Sequence, residues 1–342
     1  MPHRSRILFL VAVVIPLIIT PLLPGITADA QNSMETLVVY SGRSEGLIGP
    51  ILEQFSTETG VQVEVRYGGT AEMAATILEE GGNSPADVYI AQDAGALGAL
   101  AAEGRLSPLP SDILERVPAA FRSPEGLWVG LSGRARVLVY NTTMVEDSEL
   151  PDSILDLTGE MWRGRVGWAP TNGSFQANVT AMRVLLGDAA TYDWLTNMVA
   201  NETQAYENNR AIVQAVIDGE VAVGLVNHYY LYPYLDQNPD LPVALHYFPA
   251  GDPGALVNIA GAGIVNTTEH PGLAQRLILY LLGGNAQRYF ADTTYEYPLV
   301  PGVDTDPRLL PLNQIETPEI DLSDLSDLQS TLELLMDANA LP

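Results

Sequence analysis

Apolar positions along this chain change period repeatedly, from two to between three and four residues and back. Residues 36–40 read as a buried strand, and residues 47–59 place Ile48, Ile51, Leu52 and Phe55 at helical spacing before Gly60 closes the segment. Val61, Val63, Val65 and Tyr67 then alternate as a half-buried strand does. Gly68-Gly69-Thr70 turns into a second predicted helix, with Thr70 as its expected N-cap and Glu72 in its first turn. A third strand is expected at 87–91 and a third helix at 94–103. The pattern restarts with strands at 131–141, 166–169, 221–226, 243–248 and 256–265. Helices are predicted at 175–186, 208–218, 271–282 and 286–293, with one amphipathic stretch at 325–336 in a tail rich in proline and acid.

Strands alternating with helices predict an α/β architecture around a mostly parallel sheet covered on both faces. The stretches 131–141 and 256–265 are long enough to cross between two lobes. The expected division is residues 35–133 with 260–309 in one lobe, and 134–259 with 310–342 in the other. In open α/β sheets ligands bind beyond the carboxyl ends of the strands. Here 41–44, 68–70, 91–93, 171–174 and 227–230 would share one cleft.

Composition narrows the chemistry. The 342 residues suffice for two domains with a sizeable core. Arg4 and Arg6, an apolar run over 7–23 and Ala28-Asp29-Ala30 predict a secretory signal in residues 1–30, an uncleaved anchor being the alternative. The absence of cysteine removes disulfides, thiolate metal sites and thiol nucleophiles. Every basic residue is arginine, so Schiff-base chemistry through a lysine amine is excluded. A formal charge of −26 argues against nucleic acid and anionic lipid as partners. His228 is the one histidine placed to serve a cleft serine, but no nucleophile elbow, zinc-protease motif or phosphate loop accompanies it.

Tyr229 and Tyr230 follow the strand predicted at 221–226. Adjacent residues diverge in a strand and lie about 100° apart on a helix, so the two phenols converge only if the chain turns there. Phenolate oxygen is a hard donor suited to ferric ion. The plainer reading is a pair of core tyrosines with satisfied hydroxyls. Asn172, Gly173 and Ser174 at a helix start offer backbone N–H groups to an anion, although taken alone a simple Ser/Asn cap is the plainer reading. Asn209 and Asn227 add donors, and Arg43 could present a bidentate fork to the same anion.

The segments LVVYSGRSEGLI, YGGTAEMAATILEEG, SPADVYIAQDAGALGAL, GLSGRARVLVYN, PTNGSFQ, NNRAIVQAV, VNHYYLY and GDPGALVN together resemble the periplasmic ferric-ion-binding proteins of ABC iron importers, over residues 36–311. The resemblance implies a two-lobed class II periplasmic-binding-protein fold hinged on two crossover strands. It implies no enzymatic activity, and a monomer that delivers Fe(3+) to an ABC permease and its ATPase from a periplasmic or extracytoplasmic location. Tyr229 and Tyr230 match the family's metal-binding tandem tyrosines. Asn172, Gly173, Ser174, Asn209 and Asn227 match positions that hold phosphate or carbonate as a synergistic anion. The family's histidine, glutamate and third tyrosine fall on Ser44, Gln92 and Phe175, and members without the histidine often carry an arginine as at Arg43. Ser44, Thr70, Gln92 and Phe175 are therefore expected at the cleft. The alternative is a protein of the same fold for an oxyanion, a ferric chelate or an organic cation.

Overall fold

The computed structural model describes Met1 and residues 35–341; the expected secretory signal lies outside the described residues. Every strand among the described residues lies in one compact body.

Its first half contains β1 (Thr36–Ser41), α1 (Glu45–Thr59), β2 (Gln62–Tyr67), α2 (Thr70–Glu80), β3 (Val88–Ala91), α3 (Ala94–Ala102), β4 (Leu106–Ser107) and the short α4 (Ser111–Leu114). Strands β2, β1 and β3 pair in parallel in that order. Ile48, Ile51, Leu52 and Phe55 are the buried face of α1, as the periodicity predicts. The cap of α2 differs from expectation: Gly69 is the N-cap and Thr70 the first helical residue. Glu72 accepts a hydrogen bond from the Gly69 N–H at 3.0 Å, while the Thr70 hydroxyl donates to the Gly42 carbonyl at 3.1 Å. That bond ties the end of β1 to the start of α2.

β5 (Val129–Asn141) carries the chain into the second half. There follow β6 (Val166–Trp168), α5 (Gly173–Leu186), α6 (Asp188–Ala200), β7 (Gln204–Ala205), α7 (Asn209–Asp218), β8 (Val223–Asn227), α8 (Tyr232–Gln237) and β9 (Val243–His246). β10 (Val257–Val265) returns, and α9 (Pro271–Leu281), α10 (Gly284–Asp292) and β11 (Tyr297–Pro298) follow. α11 (Leu328–Asp337) lies in the tail. α6 was not anticipated from the pattern, yet Thr191, Trp194, Leu195 and Met198 form a buried stripe at helical spacing.

The strand order is β2-β1-β3-β10-β5-β8-β6-β7, with β4 on β10 and both β9 and β11 on β5. The sheet is mixed rather than mostly parallel, because β5 and β10 run antiparallel to their neighbours. β5 changes partners along its length. Residues 129–135 pair with β10, whereas 136–141 pair with β8 and β9. All thirteen residues of β5 and all nine of β10 are buried, so each long strand belongs to both lobes. One hydrophobic cluster gathers Leu37, Ile48, Phe55, Ile90 and Leu277, while separate clusters gather Leu138, Trp162 and Phe175, and Ile212, Val216 and Val226.

The tail reaches across both lobes. A 3-10 turn at Leu322–Ser326 sits on α3, where Gly95 and Gly98 admit its backbone. A Cβ at Gly95 would meet the Leu325 carbonyl oxygen at 2.3 Å, and one at Gly98 the Ser323 carbonyl oxygen at 2.9 Å. α11 then packs on α5 and α6, with Thr331 bonded to Thr180 at 2.8 Å. Arg183 donates to the Asp327 carbonyl at 3.0 Å and its carboxylate at 3.1 Å.

Candidate metal and anion site

β8 ends at Asn227, and His228–Tyr230 form a 3-10 turn before α8 begins with Pro233 in its first turn. The turn supplies the change of direction that two adjacent phenols need. Their ring centroids lie 4.4 Å apart at 36°. Tyr229 is buried, and its hydroxyl accepts from Gln92 Nε2 at 3.1 Å and Asn227 Nδ2 at 3.4 Å. Gln92 immediately follows β3, so this bond joins the two halves of the molecule. Burial pushes the Tyr230 phenol well above its ordinary pKa, and neighbouring Tyr229 adds to the shift; Arg134 and Arg210 oppose it.

An asparagine cradle surrounds the start of α5. Asn172 caps this helix, accepting from the Ser174 N–H at 3.1 Å and the Ser174 hydroxyl at 2.5 Å. Asn209 Nδ2 donates to Asn172 Oδ1 at 3.1 Å, and Asn209 Oδ1 accepts from the Asn227 N–H at 3.0 Å. Gly173 borders the same cavity, and a Cβ there would meet open space. The structure thus brings Asn172, Gly173, Ser174, Asn209 and Asn227 together.

Their hub is a residue that sequence reasoning missed. Arg136 Nη1 donates to Asn227 Oδ1 at 3.1 Å and Asn209 Oδ1 at 3.4 Å, and approaches Ser174 Oγ at 3.5 Å. Its Nε and Nη2 have no partner, and neither have both Nη atoms of Arg134. The two side chains are 4 % and 1 % exposed and, two residues apart on β5, share one face. Burial and then the charge of Arg134 lower the Arg136 pKa to about 9. Unpartnered N–H groups on buried guanidiniums are costly unless an anion meets them. Two arginines spaced by two within an otherwise apolar strand are the signal that could have found them.

Two expected residues are placed elsewhere. Arg43 is fully buried and directs its fork at Glu296, at 3.0 and 2.6 Å, with a further bond to Ser132 at 3.1 Å. Both Nη atoms are therefore committed within the protein. Burial alone would raise the Glu296 pKa, but Arg43 holds it below the ordinary carboxylate value. Phe175 is 1 % exposed and packs edge-on against Trp168, with centroids 5.5 Å apart, in the core and not at the cleft. Ser44, Thr70 and Gln92 do border the cavity, Ser44 as an exposed side chain.

His228 has no serine partner. Its Nδ1 accepts from the Ala135 N–H at 3.1 Å, its Nε2 meets the Tyr295 carbonyl at 2.7 Å, and burial lowers its pKa to about 4. It is a neutral structural clamp between β5 and the tyrosine turn. Among the described residues no group of three or more His, Asp or Glu side chains could hold a metal. The phenol oxygens are hard donors at the cleft, where the carboxylates of Glu72 and Asp93 also line the cavity.

The cavity has a volume of about 630 Å³ and is bounded by both lobes and the tail, with Tyr230 and Gln92 in its wall.

The family model for bacterial extracellular solute-binding proteins matches residues 83–321. A Fe(3+)-binding periplasmic protein of Serratia marcescens is 33% identical over 320 residues, covering 92% of this chain and 93% of that protein. The major ferric iron-binding protein of Neisseria meningitidis serogroup B is 31% identical over 324 residues, covering 93% and 97%. Iron-bound HitA from Pseudomonas aeruginosa superposes with a TM-score of 0.84 at 36% identity, covering 89% of this chain and 99% of that one. These relatives are binding and transport proteins rather than enzymes, and the two lobes are their common architecture.

Proposed function

Because the chain belongs to the bacterial extracellular solute-binding proteins, we propose that it captures ferric ion outside the cytoplasm, through Tyr229 and Tyr230, for import. The observation that carries this reading is the convergence of the two phenols beside a buried asparagine–arginine cradle. Two phenolates supply two hard oxygen donors. A synergistic oxyanion, phosphate or carbonate, and water complete an octahedral oxygen shell. Asn172, Gly173, Ser174, Asn209 and Asn227 frame the anion, while Arg134 and Arg136 balance its charge from behind. The Gln92 amide donates to the Tyr229 oxygen across the cleft and so favours the closed, water-excluding form. The loaded monomer then docks on an ABC permease driven by its ATPase.

The test is optical. Iron-free protein mixed with ferric ion and bicarbonate or phosphate should develop a visible phenolate-to-iron charge-transfer band, which Tyr229→Phe or Tyr230→Phe should abolish. A protein that stays colourless yet binds phosphate would establish the second reading, an oxyanion carrier, which the unpartnered guanidinium N–H groups favour.

A further inference from the structure

The tyrosine turn hangs on a side chain whose two ring nitrogens are both engaged. β8 pairs with β5 as far as Asn227, opposite Arg136. The Arg136 N–H donates to the Leu256 carbonyl at 2.9 Å, on the β10 side, so alternation along the strand turns the Ala135 N–H toward β8. Had β8 continued, the His228 carbonyl would face that N–H, but the chain has already entered the 3-10 turn. The imidazole stands in for the missing carbonyl: its Nδ1 accepts from Ala135 at 3.1 Å. An accepting Nδ1 puts the hydrogen of the neutral ring on Nε2, which donates to the Tyr295 carbonyl at 2.7 Å. The side chain is fully buried, so water does not compete for either bond.

Both bonds end where the lobes meet. Ala135 is the last residue of β5 paired with β10 before Arg136 takes up the pairing with β8. Tyr295 has a left-handed backbone, φ 56°, which a residue with a side chain adopts only where its surroundings demand it. That twist divides the segment between the lobes. The Tyr295 phenol bonds Asp236 and its ring stacks on Tyr232 of α8 with centroids 5.2 Å apart, whereas the next residue, Glu296, is locked on Arg43 just beyond β1. The imidazole lies between two further rings. It stacks on Tyr297 at 4.6 Å and 26°, and meets Tyr229 edge-on at 5.5 Å and 86°. Rotation of one lobe against the other moves Ala135 relative to the segment that reaches Arg43, and a ring bonded to both carries the turn with it.

We propose that His228 is a positioning residue for the ferric site: through its two ring nitrogens it aims Tyr229 and Tyr230 and makes their convergence on one ion depend on the angle between the lobes. This rests on the iron–phenolate reading above.

Three replacements separate the two bonds. His228→Asn places an amide oxygen near Nδ1 and keeps the Ala135 bond; His228→Gln reaches the place of Nε2 and keeps the Tyr295 bond; His228→Phe keeps the stacked ring and loses both. Iron-free proteins are titrated with ferric ion plus phosphate while the charge-transfer band is recorded, and X-ray scattering is measured before and after loading. His228→Phe should weaken iron about hundredfold, move the band maximum, and bind without the fall in radius of gyration that loading produces in the native protein. His228→Asn and His228→Gln should each recover about tenfold of the lost affinity. Denaturant titration of the iron-free proteins reads the cost to the fold separately. A purely structural histidine would lower stability and leave the band position and the compaction native, and that result would overturn the proposal, as would loading of the native protein without compaction. Should His228→Phe fail to fold, a native band and native compaction in both amide variants would overturn it equally. A native protein that forms no band would instead overturn the tyrosine site itself.

Discussion

Tyr229 and Tyr230 must both lose a proton to hold iron, and Tyr230 starts well above its ordinary pKa because it is buried beside another phenol. At fixed free ferric ion, affinity should therefore rise by about two logarithmic units per pH unit below the phenol pKa values, one proton leaving each tyrosine. A slope near zero between pH 6 and 8, measured by chelator competition, would contradict iron–phenolate binding. Arg136 is the next test. Arg136→Gln removes a charge-assisted partner of Asn227 and Asn209, worth about 1.5–3 kcal/mol. Iron affinity should fall roughly ten- to hundredfold while the thermal midpoint moves little, since a buried charge is also removed. Phe175→Ala should behave oppositely, costing about 3–5 kcal/mol of stability in denaturant titrations through a core cavity. The residue scale is also where sequence reading reached least far. Arg134 and Arg136 lie inside a strand that reads as buried, and the partners that mark them out, Asn209 and Asn227, are distant in the chain. The sequence offers the Arg43 fork to an anion, but its actual partner, Glu296, lies 253 residues away. Nothing local announces such a pair.

Local elements were more legible, because hydrophobic period and turn residues determine them. The ends of β1, β3 and β8 fall within a residue or two of the apolar runs that predict them, and these ends carry Gln92 and Tyr229. A shift of two residues matters more at α5, which begins at Gly173 and so turns Phe175 into the core. Tertiary pairing was not legible: the antiparallel course of β5 and β10 depends on contacts between distant segments. One such contact is the buried Arg43–Glu296 pair, which fastens the end of β1 to β11. Glu296→Gln should cost about 3–5 kcal/mol, because it leaves a buried guanidinium short of its partner. The native Glu296 carboxyl titrates below its unfolded value. Its contribution is therefore fully present above the unfolded carboxylate pKa and is lost as pH falls through the folded one. Stability measured from pH 6 down to pH 3 should decline less steeply in Glu296→Gln.

At the scale of the whole molecule, two α/β lobes share β5 and β10, and the tail lies over both. Gly98→Leu would drive a side chain into the Ser323 carbonyl and lift the 3-10 turn from α3. The expected signature is faster proteolysis within 312–341 with the sheet intact by circular dichroism; unchanged proteolysis would show that the turn is not held there. Net charge supplies a further discriminator. With −26 overall, association with an anionic ferric chelate should accelerate as salt screens repulsion, whereas a cationic iron species should bind more slowly. Stopped-flow rates at two ionic strengths separate these cases.

β5 exchanges its partners between Ala135 and Arg136, and the two buried arginines flank that joint. Burial, and after it the neighbouring charge of Arg134, lower the Arg136 pKa to about 9. On the proposed function, opening of the empty lobes would let water reach these buried charges, and a bound anion would favour the closed form. The joint would then act as a loaded spring whose catch is the cargo's own negative charge. Arg134→Met should slacken it, shifting the empty protein toward the compact form, which a smaller radius of gyration in X-ray scattering would register.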